Sequence, residues 1–197
     1  DTTGSQYWNA VPGCCGWHDG TVDDAGYLVG LVEEAIEKYH IDTTRVALIG
    51  HSNGGYMSHR LACDRADLFS GIASIAGTSF SDKGDCQPSE PVSVLQIHGT
   101  LDATVSYVAP FAGPGAEGVV DWWVDFNGCT GDAVASEVLD YDTAVAGSET
   151  QPSLWSDCDA GSAVELWRME GSGHIPIFGD DFVPAALGFL LGHPKPD

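Results

Sequence analysis

Short apolar blocks alternate with longer helical stretches along most of this chain. Short runs rich in apolar residues and bounded by turn residues predict buried β-strands, and three such runs lie at 46–50, 91–98 and 164–169. Helices are predicted at 23–40, 55–65, 117–127 and 181–191, the first of them with an apolar stripe at 3.6-residue periodicity. Strands that alternate with helices predict an α/β fold with a mostly parallel sheet and helices on both faces.

The turn after the first predicted strand carries a catalytic motif. Residues 50–54 read Gly-His-Ser-Asn-Gly and open a helix. In a strand–turn–helix setting, Gly-x-Ser-x-Gly is the nucleophile elbow of an α/β-hydrolase, which makes Ser52 the candidate nucleophile. The backbone N–H of Asn53 is then one donor of the oxyanion hole. Because a serine hydroxyl is a weak nucleophile, the chemistry also requires a base and a group that orients the base.

Two later loops supply candidates for these roles. Asp102 follows the second predicted strand, where the triad acid of this fold lies, although aspartate is also common in turns and helix caps. His174 lies in a glycine-rich loop after the third strand, and the order Ser, Asp, His fits the fold. The other six histidines precede the acid or lie in the C-terminal tail. A neutral His174 takes the Ser52 proton, and Asp102 holds its tautomer and stabilises the imidazolium.

Several motifs occur together in this chain. They are Trp-Asn-Ala at 8–10, Cys-Cys-Gly at 14–16, Val-Asp-Asp-Ala-Gly-Tyr-Leu at 22–28, Gly-His-Ser-Asn-Gly-Gly-Tyr-Met at 50–57, His-Gly-Thr-Leu-Asp at 98–102 and Gly-His at 173–174. In this combination the chain resembles the secreted esterases grouped as feruloyl esterases, acetylxylan esterases and polyhydroxybutyrate depolymerases. The resemblance implies an α/β-hydrolase fold and a carboxylesterase without a cofactor, with Ser52, Asp102 and His174 as its triad. Many members read His-x-Trp-Pro after the base, whereas this chain has Ile-Pro-Ile at 175–177, so the resemblance does not identify the substrate.

The segment before the nucleophile is short for this fold. An α/β-hydrolase usually places four strands and a helix before its elbow, but only 51 residues precede Ser52, and they predict one helix and no pair of buried strands. We therefore expect residues 1–197 to form the C-terminal portion of a single catalytic domain. Its upstream strands and oxyanion loop would lie in a missing segment or a second chain, since deleting central strands exposes an apolar sheet edge. The alternative is a minimal hydrolase complete at 197 residues.

Apolar residues beside the acid and the base are candidates for the substrate pocket, because such pockets are mainly apolar. Val105 and Tyr107 follow Asp102, and Ile175 follows His174. We expect these three side chains to contact the acyl group.

Two tryptophans lie in the third predicted helix. We expect one of Trp122 and Trp123 to pack in the core and the other to reach the surface. We assign Trp122 to the substrate cleft, with core packing as the alternative.

The Gly-, Pro- and Ala-rich segment 107–118 is expected to be a loop that lines the cleft. The polar segment 140–161 is expected to be a surface excursion.

Six cysteines in a serine hydrolase indicate an oxidising compartment. No Cys-x-x-Cys pair or His/Cys spacing indicates a metal site. Because the chain resembles secreted enzymes, we expect an extracellular location and disulfides rather than buried free thiols. The expected pairs are Cys63–Cys86 and Cys129–Cys158, while Cys14 and Cys15 pair with each other or with the missing segment.

The net charge of −22 disfavours binding to nucleic acids or anionic membranes. It suits a saline habitat or simply a secreted acidic enzyme, and it favours neutral over polyanionic substrates. Paired aspartates at 23–24 and 180–181 lack the spacing of a calcium loop and are expected at helix starts. No apolar run reaches the ~18 residues of a membrane helix.

Three functions are compatible with these observations. We expect a secreted serine carboxylesterase acting on feruloyl or acetyl esters or on hydroxyalkanoate polyesters. A serine peptidase on the same fold is one alternative, because the same triad cleaves amides. A catalytically inactive binding protein is the other, because the oxyanion hole is incomplete.

Overall fold

The structure is a computed structural model that describes residues 6–15, 21–109 and 113–196. Gly16 of the Cys-Cys-Gly motif and His18 lie outside the described residues. The helices are α1 (Asp24–Lys38), α2 (Asn53–Asp64), α3 (Gly115–Phe126) and α4 (Phe182–Gly192). The strands are β1 (Ala47–His51), β2 (Gly71–Ile75), β3 (Ser93–Gly99), β4 (Val134–Ala135), β5 (Thr150–Trp155) and β6 (Val164–Met169).

One mixed sheet organises the fold, with the strand order β1-β2-β3-β6-β5-β4. The first four strands in that order are parallel, and β5 and β4 continue the sheet as antiparallel strands. The carboxyl ends of β1, β3 and β6 therefore meet at one edge, where α/β proteins place their ligands. The predicted α/β-hydrolase architecture is confirmed.

Helices cover both faces of the sheet, and each face has its own apolar cluster. On one face α1, α2 and α3 contribute side chains such as Leu61 and Trp123, which pack against alternate residues of β2 and β3. On the other face α4 contributes Phe182, Phe189 and Leu190. The alternation of strand residues between two buried faces explains why β2 and β3 contain only buried positions.

Two segments differ from the sequence-based expectation. The region 140–161 is more than a surface excursion, because β5 lies within it and pairs with β6 along its whole length. Its exposed and half-exposed positions give it the polar composition that suggested a loop. The segment 107–118 contains the first turn of α3, which begins at Gly115.

The outer side of β1 is open. Its positions are half-buried or exposed, and Ile49 is 52% exposed, whereas every position of β2 is buried. Within the described ranges no strand pairs with that side of β1. An unpaired row of backbone N–H and C=O groups in an apolar strand is a template for pairing with another strand.

The cysteines are all paired, Cys63 with Cys86, Cys129 with Cys158 and Cys14 with Cys15. The first pair joins α2 to the loop between β2 and β3.

Asp23 caps α1 by accepting a hydrogen bond from the N–H of Gly26 at 2.8 Å, which accounts for the aspartate pair at 23–24.

Candidate active site

The nucleophile lies in a sharp turn between β1 and α2. Ser52 has φ 54° and ψ −117°, a conformation that L-residues rarely adopt. The Ser52 N–H donates to the carbonyl of Ile75 at 2.8 Å, which ties the turn to β2. A Cβ atom at Gly50 would lie 2.2 Å from the carbonyl oxygen of Gly54, so the close crossing of strand and helix requires glycine at position 50.

The predicted triad residues form a continuous hydrogen-bonded chain. Ser52 Oγ donates to His174 Nε2 at 2.9 Å, and His174 Nδ1 donates to Asp102 Oδ2 at 2.8 Å. These distances are within the range expected for a nucleophile, its base and the group that orients the base.

The Asp102 carboxylate is buried, and both of its oxygens accept hydrogen bonds. Its Oδ1 atom accepts the backbone N–H groups of Thr104 and Val105, both at 2.8 Å. Burial by itself would raise the Asp102 pKa, but hydrogen bonds from His98, His174 and these two N–H groups outweigh it and lower the pKa to about 2. The carboxylate therefore stays charged at the pH where the base works.

The loops after β3 and β6 are joined by backbone contacts that place the acid beside the base. The Leu101 N–H donates to the carbonyl of Ser172 at 3.0 Å. A Cβ atom at Gly99 would lie 2.3 Å from the same carbonyl oxygen, so the approach of the loops depends on that glycine. On the other side, His51 Nε2 donates to the His174 carbonyl at 2.7 Å, which links the base to the end of β1.

Asn53 holds the N-terminal segment against the nucleophile turn, a role that the sequence analysis missed. Its side-chain Oδ1 accepts the Trp8 N–H at 2.6 Å, and its Nδ2 donates to the Trp8 carbonyl at 2.9 Å. The amide thus pairs with Trp8 as a neighbouring strand would. The co-occurrence of the Trp-Asn-Ala and Gly-His-Ser-Asn motifs was the available signal, but nothing in their spacing indicated contact.

A cleft of about 490 Å³ lies beside the nucleophile turn, lined by Gln6, Tyr7, Trp8, His51, Asn53 and Gly54. None of the four predicted substrate contacts lines this cleft. Val105 and Tyr107 are buried in the core, at 8% and 7% exposure. Ile175 is 77% exposed next to the base, and Trp122 is half-buried on α3 while Trp123 is fully buried.

The core positions of Val105 and Tyr107 have a structural reason. Val105 binds Asp102 through its N–H and His98 through its carbonyl, so it supports the acid from within the protein. The Tyr107 hydroxyl donates to Glu117 at 3.1 Å, and burial together with the Glu117 charge raises the Tyr107 pKa. Both residues follow the acid in sequence, but they lie beneath the site.

His98 precedes the acid in the chain, an order that does not fit the base, but the structure places it against that acid. Its Nε2 atom is 3.3 Å from Asp102 Oδ2, and its ring is 1% exposed. The His-Gly-Thr-Leu-Asp motif contained this residue, but the sequence offered no partner for it.

The described part of the chain contains no group of three or more His, Cys, Asp or Glu residues arranged to hold a metal ion. Among the helices in the same ranges, none combines the length and the apolarity that crossing a bilayer requires.

Comparisons with known proteins relate this chain to ester hydrolases. A model of the prolyl oligopeptidase family matches residues 15–102. Feruloyl esterase B of Piromyces equi is 29% identical over 184 residues, which cover 86% of this chain and 31% of that protein. Feruloyl esterase D of Neurospora crassa is 28% identical over 169 residues, covering 82% of this chain and 50% of that protein. The chain thus spans a third to a half of the length of these curated relatives.

A structural relative agrees with the fold. The acetyl xylan esterase from Aspergillus awamori superimposes with a TM-score of 0.59 at 16% sequence identity, over 85% of this chain and 66% of that one. The chain is therefore similar to ester hydrolases and shares the α/β-hydrolase fold.

Proposed function

We propose that this protein is a secreted serine carboxylesterase that hydrolyses neutral carboxylic esters through an acyl-enzyme. The observation that carries the proposal is the unbroken hydrogen-bond chain from Ser52 through His174 to Asp102. The relationship to feruloyl esterases supports ester rather than amide hydrolysis.

The proposed reaction has two halves. Ser52 Oγ attacks the ester carbonyl carbon while its proton passes to His174 Nε2, and the charged Asp102 stabilises the imidazolium. The tetrahedral intermediate collapses to the acyl-enzyme, and His174 returns the proton to the departing alcohol. A water molecule, deprotonated by His174, then attacks the acyl carbon, and the acid leaves as Ser52 Oγ recovers its proton.

The oxyanion of each tetrahedral intermediate needs hydrogen-bond donors. We assign one donor to the Asn53 backbone N–H, the position that follows the nucleophile in this fold. The Asn53 side chain is occupied by Trp8, which fixes the residue on which that N–H lies.

For the substrate, we propose an ester with a feruloyl, acetyl or hydroxyalkanoate acyl group. The cleft beside Ser52 is lined in part by the aromatic residues Tyr7 and Trp8, which suit a planar or apolar acyl group. Ile175 is our candidate for a further contact, because it is exposed beside the base. The net charge of −22 supports a neutral substrate.

The decisive experiment compares substrates on one enzyme preparation, with Ser52→Ala as the blank. Hydrolysis of p-nitrophenyl acetate without hydrolysis of a peptide anilide is the expected result. Methyl ferulate, acetylated xylan and polyhydroxybutyrate assayed side by side then identify the acyl class. Equal turnover by wild type and Ser52→Ala would refute the proposal.

A peptidase is the second candidate, and the match of residues 15–102 to the prolyl oligopeptidase family favours it. Preferential cleavage of the peptide anilide in the same assay would select it. A folded protein that binds esters but turns over neither class would instead be a binding protein.

Secretion is part of the proposal and rests on the three disulfides. Thiol titration of the denatured, unreduced protein isolated from its source should find no free thiol. Six free thiols would contradict an extracellular location.

We also propose that the open side of β1 pairs with a further strand, supplied by an upstream segment or a second chain. The half-exposed positions of β1 and the greater length of the relatives support this. The same added segment would bring the second oxyanion donor.

A further inference from the structure

A buried row of polar side chains leads from α3 to the triad acid. Trp123 Nε1 lies 3.1 Å from His59 Nδ1, and His59 Nε2 lies 3.0 Å from Gln96 Oε1. Gln96 Nε2 lies 3.2 Å from His98 Nδ1, and His98 Nε2 lies 3.3 Å from Asp102 Oδ2. Trp123, His59 and Gln96 are 0% exposed, and His98 is 1% exposed.

The indole at one end of the row determines which atom donates in each of the following hydrogen bonds. An indole nitrogen only donates, so His59 Nδ1 accepts from Trp123 and the His59 proton is on Nε2. Burial lowers the His59 pKa to about 4, so its ring is neutral when the enzyme works. His59 Nε2–H therefore donates to Gln96 Oε1.

The second half of the row is fixed in the same way. Gln96 Nε2 donates to the Gly77 carbonyl at 2.8 Å, which independently identifies the amide nitrogen. Its second hydrogen then points to His98 Nδ1, which accepts it. The His98 proton is consequently on Nε2, which donates to the Val105 carbonyl at 2.8 Å and lies 3.3 Å from Asp102 Oδ2.

The two oxygens of Asp102 thus have separate supports. Oδ1 receives the N–H groups of Thr104 and Val105, whereas Oδ2 receives His174 Nδ1–H and lies 3.3 Å from His98 Nε2. A row that served only to fill space would be replaced at little cost by apolar side chains, whereas these groups are all satisfied and all oriented toward one carboxylate.

We propose that His98 is a positioning residue of the triad. Its Nε2–H holds Asp102 Oδ2 where that atom receives His174 Nδ1–H, and the row Trp123–His59–Gln96 keeps His98 in the tautomer that donates. His98 acts through Asp102 and does not touch the substrate, since it is buried and does not line the cleft. The inference rests on the proposed function, because it concerns the triad that carries out that reaction.

Loss of the His98 donor has two expected effects. The Asp102 carboxylate becomes less well oriented, so kcat falls by about 10- to 100-fold, the size of a lost hydrogen bond to a charged group. The carboxylate also keeps more charge toward His174 and favours the imidazolium, so the acid limb of the kcat/KM profile moves upward by roughly half a pH unit. KM for a neutral ester stays unchanged.

Other groups that face the Asp102–His174 pair are unaltered by the substitution and are common to all variants. They are His51 from the end of β1, Tyr56 from α2, and Tyr107, with Glu117 and Arg168 behind it.

The test uses two substitutions at position 98. His98→Leu removes the donor and keeps an apolar volume, and His98→Gln keeps an N–H group close to the place of Nε2. We expect His98→Leu to show the lower kcat and the displaced acid limb with p-nitrophenyl acetate, and His98→Gln to recover most of both. Gln96→Met, which frees the His98 tautomer, should show a smaller change in the same direction.

A buried polar residue outside the row provides the control. Asn127 is 0% exposed, and its side chain binds the N–H and the carbonyl of Val92 at the amino end of β3. Asn127→Leu should lower thermal stability and leave the acid limb in place. This separates positioning from a general loss of packing.

A readout without turnover keeps the inference independent of the proposed function. In Ser52→Ala protein, the downfield proton signal of the His174 Nδ1–H···Asp102 hydrogen bond should weaken or shift with His98→Leu and return with His98→Gln. If wild type hydrolyses no ester, the proposed function fails and this signal still tests the inference. An unmoved signal, or a His98→Leu enzyme that loses activity with its acid limb unchanged, overturns the inference. If His98→Leu does not fold, His98→Gln and Gln96→Met decide by the same criteria.

Discussion

Asp102 and His174 follow β3 and β6 in the middle of the sheet, whereas Ser52 follows β1 at its edge. The acid has four hydrogen-bond donors around it and a buried polar row behind it. Among the described strands, β1 before the nucleophile pairs with β2 and with no other, and Trp8 and Asn53 lie beside the nucleophile. The acid–base half of the site is therefore supported on all sides within the described chain, whereas the strand before the nucleophile has one open side.

The largest expected effect is the loss of the nucleophile itself. Ser52→Ala should lower kcat by about 10⁴ to 10⁶ without unfolding the protein, because only Oγ is removed from a turn that tolerates a small residue. Rates measured on wild type and variant, with circular dichroism as the folding control, check this. His174→Ala should lower kcat by a similar factor, and the double variant should lose no more than either single variant, since the two residues act as a unit. Residual activity within tenfold of wild type would exclude Ser52 from the role.

The next effect concerns the open edge. Residues 1–197 alone should be poorly soluble or slow, and an added upstream segment, in cis or as a second chain, should raise kcat by roughly 10²–10³, the usual contribution of one oxyanion donor. Sedimentation and esterase rates on both forms test this. A soluble, monomeric 197-residue protein whose rate the added segment does not change would contradict it.

The free energy of unfolding should depend on pH through His59, which lies in the polar row behind the triad acid. The unfolded chain protonates His59 near pH 6.5, but the folded protein does so only near its pKa of about 4, so folding opposes protonation between these values. Stability from this group is complete above about pH 6.5 and falls by roughly 3 kcal/mol as the pH drops to about 4. Asp102, with its pKa at about 2, adds its own loss only at lower pH.

Urea unfolding at several pH values measures this loss. His59→Gln should be less stable at neutral pH but should lack most of the fall between about pH 6.5 and 4, because it removes the titrating group. His40→Gln, which changes an exposed histidine, should keep the wild-type slope. Identical slopes for all three proteins would show that His59 is not buried as described.

The smallest effect should come from the edge strand. Ile49→Thr is expected to change the free energy of unfolding by less than about 0.5 kcal/mol, because the side chain is 52% exposed. The matched change Ile97→Thr in β3, where the side chain is 0% exposed, should cost about 2–4 kcal/mol. Chemical denaturation of both variants gives the comparison, and a large cost at Ile49 would mean that another element already covers β1.

Much of the fold was predictable because its signals are local. The runs that became β3 and β6 are rich in apolar residues, and the nucleophile turn has its glycines at fixed offsets. The strand β2 was not separately identified, since its sequence Gly-Ile-Ala-Ser-Ile contains three small residues. The composition of β5 resembles that of a surface loop because four of its six positions are exposed or half-buried. Both depend on neighbouring strands rather than on their own composition.

The sequence by itself determined the fold class and the order of Ser52, Asp102 and His174, because motif spacing and chain order can be read directly along the chain. Only the tertiary structure decided which side chains support them. Trp123, His59 and Gln96 meet because α2 and α3 pack over the same face of the sheet, although 64 residues separate the first two. It likewise decided that Val105 and Tyr107 lie beneath the acid and that Trp8 pairs with Asn53. Burial and long-range contacts depend on how the helices and strands pack together, and the local periodicity of the sequence does not determine that packing.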